Sequence, residues 1–127
     1  MGERITIRFV RDGEIPSTAA YLHWAGPYAL NVACDVIKTG ASDRPGVMMA
    51  NFVYEWCRLH GGQQDPGIYL DEQPCDGSDW GNWTYDIEAD VWTCKSECCP
   101  RLNSIAVSNE TLSMTDIEAL NVEGAEE

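Results

Sequence analysis

The chain changes its apolar period at one place, Gly26-Pro27, and that change limits the folds open to it. Before it, ITIRFV (5–10) sets Ile5, Ile7 and Phe9 against Thr6, Arg8 and Val10, the alternation of a strand with one buried face. Asp12-Gly13 is a tight-turn pair, Ile15-Pro16-Ser17 lengthens the connection, and STAAYLHW (17–24) returns as a second, antiparallel strand. Beyond the break, apolar residues recur every three to four positions. PYALNVACDVIKTG puts Leu30, Ala33, Cys34 and Ile37 on one helical face, with Pro27 suited to a first turn and Gly40 to a stop. ASDRPGVMMANFVYEWCRLHGG repeats the pattern with Met49, Phe52, Trp56 and Leu59, between a Ser42/Asp43 start signal and a Gly61-Gly62 stop. Two consecutive helices would cover one face of the sheet.

Downstream, PGIYLDEQP predicts a short strand around Ile68–Leu70, followed by the polar loop CDGSDWGN. NWTYDIEADVWTCKS predicts a hairpin turning at Ala89-Asp90, with Ile87 opposite Trp92 and Tyr85 opposite Cys94. In that register Trp83, Tyr85, Ile87, Trp92 and Cys94 line the buried face, and Asp86 and Glu88 stand outside. SIAV (104–107) reads as a further strand, and Ser113 or Thr115 as the cap of a short helix around DIEAL. The expected architecture is a single α+β domain over residues 1–112. It has an antiparallel sheet of four to five strands with both helices on one face, and residues 113–127 form an acidic, partly frayed segment.

Length supports one domain: 127 residues bury a real core but do not divide into two. No apolar run approaches the roughly 18 residues of a membrane span, and MGERITIRFV lacks the apolar stretch of a secretory signal, so a cytoplasmic location is expected. The net charge of −13 is uneven: residues 1–70 are close to neutral, whereas 71–127 hold fourteen acids against Lys95 and Arg101. Such a field repels phosphate backbones, which argues against direct nucleic-acid binding. It attracts a basic protein surface, including one that normally holds nucleic acid.

Met1-Gly2-x-Arg4 leading into a strand, and Tyr21-x-His23-Trp24-x-Gly26 leading into a helix, resemble a loose family of short proteins from phages, prophages and bacterial genomes. Its members share a late Tyr-x-x-x hairpin, matched here near Tyr85 to Val91. The resemblance covers residues 1–95, and Ala25 stands where members carry Asp. It implies a mobile-element origin, where small acidic proteins often inhibit host factors, anti-CRISPR proteins among them.

Each reactive group has a plain alternative. His23 shares its strand face with Tyr21 and Ala19, and without a neighbouring Ser or Cys nucleophile it reads as a hydrogen-bonded corner residue. Cys94 and Cys98 have zinc-compatible spacing, and Cys75, with His60, could complete a ligand set. A disulfide from Cys75 to the 94–99 cluster is the oxidised counterpart, but a reducing cytosol favours free thiols. Cys34 and Cys57 fall inside helical patterns as small hydrophobes. Asp76, Asp79, Asp86, Glu88 and Asp90 around Trp80 form the strongest interaction candidate, an aromatic side chain in an acidic rim. The expected function is therefore a non-enzymatic module that binds a basic, nucleic-acid-handling host protein as a stoichiometric inhibitor, without cofactor, direct nucleic-acid contact or membrane association. The competing readings are a small zinc protein on Cys75, Cys94 and Cys98, and a phage structural or accessory component.

Overall fold

In a computed structural model of the protein, residues 4–23, 25–26, 28–39, 43–60, 67–71, 80–95, 101–102, 105–106 and 111–117 are described. The chain opens with β1 (Ile5–Val10) and β2 (Ala19–Leu22), joined through a turn in which Glu14 N–H donates to the Arg11 carbonyl at 3.0 Å. Gly13 sits in that turn at φ 81°, a left-handed value that favours glycine. The helices follow: α1 (Tyr28–Lys38) and α2 (Pro45–Leu59). Next come β3 (Ile68–Asp71), β4 (Asn82–Asp86), β5 (Val91–Lys95), β6 (Arg101–Leu102), β7 (Ile105–Ala106) and β8 (Thr111–Ser113). β6 and β7 pair only with each other.

The other strands form one sheet in the order β3-β2-β1-β4-β5-β8. It is mixed and six-stranded, which corrects the expected antiparallel sheet of four to five strands. β1 and β4 run parallel, from Thr6 opposite Asn82 to Val10 opposite Asp86, while the remaining neighbours are antiparallel. The cause is a crossover. β3 lies outside β2, so the chain must pass both β2 and β1 to reach the free side of β1, and it arrives running in the direction of β1. Nothing in the local pattern of β4 encodes that passage.

One face of the sheet carries the core. Ile5, Ile7 and Phe9 of β1 stand in register with Leu22 and Ala20 of β2 and with Trp83 and Tyr85 of β4, and these in turn with Cys94 and Trp92 of β5. All are buried in one cluster with Leu30, Ala33 and Cys34 of α1 and Met49, Phe52 and Trp56 of α2. Phe9 is a hub, its ring 6.3 Å from Phe52 and 6.4 Å from both Tyr85 and Trp92. Ile117, on the helical turn 114–117, is also fully buried there, so the packed domain runs past residue 112.

Three local expectations shift. α2 begins at Pro45 with Arg44 extended at φ −105°, ψ 131°, and no side chain caps it. Proline disfavours the helical region for the residue before it, so the helix starts after Arg44 and not at Asp43, while Ser42 lies outside the described residues. Leu59, expected in the core, is exposed in the last turn of α2. In the β4–β5 hairpin Tyr85 faces Trp92 and Trp83 faces Cys94, leaving 87–90 as a four-residue loop with Ile87 in it. The register differs by two residues from the expected one. Because strand side chains alternate with period two, the shift leaves every paired residue on its expected face.

Candidate functional site

Register fixes which loops share an end of the sheet. Val10, Ala19, Asp71, Asp86, Val91 and Ser113 terminate or begin their strands at the same end. Asp12 and Glu14 of the β1–β2 loop, Asp71 at the close of β3, Asp86, Glu88 and Asp90 around the β4–β5 turn, and Asp116 after β8 therefore gather there. All but the half-buried Asp86 are exposed. Arg11 at this end is engaged by carboxylates, its Nη1 lying 2.9 Å from Asp43 Oδ2 and 3.6 Å from Glu14 Oε2, and Arg44, just before α2, is a second cation there. At the opposite end stand Arg4, beside β1, and Lys95, which closes β5. Among the described residues, most of the carboxylates at the strand ends therefore lie at one end of the sheet.

Some of these acids also build the turn. Asp86 Oδ1 accepts the Glu88 and Ala89 N–H groups at 3.0 and 3.1 Å, a side-chain turn of the type aspartate favours. Asp90 adopts φ 59° and accepts a hydrogen bond from the Tyr85 hydroxyl. Glu88 makes no such side-chain contact among the described residues and projects from the tip of the turn, exposed.

Of the six residues singled out for partner binding, Asp86, Glu88 and Asp90 come together, and Trp80 does not join them. Trp80 lies beyond the start of β4, at the opposite end; its backbone N–H donates to the Arg4 carbonyl at 2.9 Å and its own carbonyl accepts Trp83 Nε1–H at 2.7 Å. β4 alone places about 13 Å between them at roughly 3.3 Å per residue. The half-buried indole packs on the core cluster. Asp76 and Asp79 lie outside the described residues. Asp12, Glu14 and Asp71 belong to the acidic end and were not visible as such in the sequence. They come from the half of the chain that reads as neutral, or from the boundary of the two halves, and only the crossover to β4 sets them beside residue 86.

Among the thiols proposed as zinc ligands, Cys75 and Cys98 lie outside the described residues. Cys94 is buried on β5 and its Sγ lies 3.9 Å from the Trp80 carbonyl. Cys34 is likewise buried, 3.9 Å from Met114 Sδ, whereas Cys57 is half-buried. His60 directs Nδ1 at the Trp56 carbonyl, 2.7 Å away, within its own helix end. Among the described residues no group of three or more His, Cys, Asp or Glu side chains is arranged to hold a metal ion. His23 is a hydrogen-bonded corner residue: its Nδ1 is 2.6 Å from the Tyr21 hydroxyl, and its N–H donates to the Gly67 carbonyl at 3.2 Å. Among the described residues no helix is long and apolar enough to cross a membrane.

Fold and site define a small α+β protein with a mixed sheet, one end of which carries seven of the described carboxylates, Asp12, Glu14, Asp71, Asp86, Glu88, Asp90 and Asp116. No family model matches the chain, and neither a curated protein nor a solved structure matches it.

Proposed function

We propose that the protein is a non-enzymatic binding module of mobile-element type. It acts stoichiometrically in the host cytoplasm by docking the acidic end of its sheet onto a basic protein surface. The fitting partner is a nucleic-acid-handling or defence protein of the host, in the manner of anti-CRISPR proteins. One observation carries the reading: carboxylates distant in sequence converge on one end, while Arg4 and Lys95 lie at the other. A net charge of −13 spread evenly would favour solubility alone. Concentrated, it orients an approaching basic surface and raises the encounter rate. The same field disfavours direct contact with a phosphate backbone.

Capture of partners from host lysate tests this, with mass spectrometry of what is retained at low and at high salt. Screening length falls from about 10 Å at 0.1 M to about 3 Å at 1 M, so a basic nucleic-acid-binding protein should be retained at low salt and released as salt rises. Retention that ignores salt contradicts the mechanism.

A further inference from the structure

The acidic end includes an apolar groove. It runs between the β1–β2 loop and the first turn of α2, encloses about 610 Å³, and is lined in part by Ile15, Pro16, Pro45, Val47 and Ala50. Ile15 is 87% exposed and Val47 42% exposed. Single exposed apolar residues are ordinary on protein surfaces, but here they line one groove. Full burial of such a side chain is favourable, and the fold itself leaves that gain unused. The two walls are tied together: Arg11 Nη1 bonds the Asp43 carboxylate at 2.9 Å and the Asp43 carbonyl at 3.2 Å, two residues before Pro45.

Charge selects the occupant. Arg11 is engaged by two carboxylates, and Arg44 is the other cation at the groove. Glu14 lines it opposite Arg44, Asp12 and Asp43 are neighbours in sequence of its lining residues, and Asp71, Glu88 and Asp90 lie farther along the same end. An apolar floor set in an end of the sheet with excess carboxylates complements a segment with the opposite arrangement, an apolar side chain flanked by lysine or arginine. Desolvated anchors inside a polar rim are the usual form of an interaction hot spot.

We propose that this groove seats the apolar anchor of the basic partner. A branched aliphatic or aromatic side chain enters beside Ile15 and Val47, and its flanking cations meet the carboxylates of the acidic end. The inference rests on the acidic end being the binding surface, and it adds where the anchor sits and what kind of residue supplies it.

Gly46 makes the test clean. Gly46 lines the groove and a Cβ added there meets nothing within 4 Å, so a side chain can start at 46 without a clash and reach toward the groove. The probes are a short oligolysine peptide with one central leucine and the same peptide with glycine in its place, titrated into the full chain at low salt. The leucine peptide should bind about tenfold more tightly, the factor expected for burying one such side chain. Gly46→Trp should reduce it to the level of the glycine peptide, and Gly46→Ala should not. Ile15→Ser, at a residue outside the core, should reproduce the loss. Equal binding of the two peptides, with both weakened by salt and by Glu88→Lys, overturns the groove and leaves the acidic-end reading standing. A leucine preference that survives Gly46→Trp also overturns the groove. Absence of binding by either peptide at low salt overturns both.

Discussion

Tyr85 and Asp90 are joined across the β4–β5 turn, the phenol donating to the carboxylate. One residue belongs to the core and the other to the acidic end, so the bond fastens the β4–β5 loop to the hydrophobic cluster. It also lets Asp90 hold φ 59°, a left-handed conformation that aspartate tolerates better than most residues.

Alkaline stability should depend on this pair. Burial first, and then the hydrogen bond to Asp90, raise the Tyr85 phenol above its ordinary value of 10.0. The unfolded chain therefore loses this proton before the folded one does. The resulting stabilisation is complete below about pH 10 and is lost as pH rises beyond it. Tyr85→Phe should cost about 1 kcal/mol at neutral pH, the worth of one hydrogen bond. It should also flatten the alkaline fall, so that the urea midpoints of the two proteins converge above about pH 10. Parallel curves would show that the phenol is not the titrating group.

A second stability change should run the other way. Thr6 is fully buried in β1, and its Oγ1 has no hydrogen-bond partner among the described residues. An unsatisfied buried hydroxyl costs about 1–3 kcal/mol. Thr6→Val keeps the shape and a strand-favouring side chain while removing that cost, and should raise the urea midpoint by the equivalent of about 1 kcal/mol. A lowered midpoint would mean that the hydroxyl is engaged in solution.

Ser113 and Asp116 form a reciprocal box at the helical turn that follows β8. Asp116 N–H donates to Ser113 Oγ and Ser113 N–H to Asp116 Oδ2, both at 3.1 Å. This pairing satisfies two amides that a helix start otherwise leaves open. Ser113→Ala should cost about 1 kcal/mol and speed amide exchange at Asp116 and Ile117, because the turn holds Ile117 in the core. Unchanged exchange would show that packing of Ile117 alone fixes the turn.

Much of this fold is legible from periodicity, and the reasons for the exceptions are physical. Ile5, Ile7 and Phe9 announce β1 through alternation, and Met49, Phe52 and Trp56 announce the buried face of α2, because each pattern is local and long enough to be unambiguous. The partner of β1 on its far side is not a local property. Trp83 and Tyr85 identify a strand with one buried face, but not that it lies parallel beside Ile7 and Phe9. β8 has three residues, too few to display a period. The site suffers from the same gap. Charge totals point to residues 71–90, and Glu88 and Asp90 are indeed among the exposed acids. Their association with Asp12 and Glu14 is a product of strand order, whereas Trp80 is held apart from them by the length of β4.

If the protein binds as proposed, the position of its carboxylates, and not their number, governs affinity for the partner. Glu88 at the tip of the acidic end and Asp35 on the outer surface of α1 are both exposed, and replacing either with lysine changes net charge by the same amount. The most direct measurement compares Glu88→Lys with Asp35→Lys for affinity toward the basic host protein captured at low salt. The account predicts that Glu88→Lys weakens binding about tenfold or more, the scale of a lost rim charge turned repulsive, while Asp35→Lys stays close to the unaltered protein. Equal effects of the two substitutions would contradict it, because binding would then follow total charge and the arrangement at the sheet end would have no part in it.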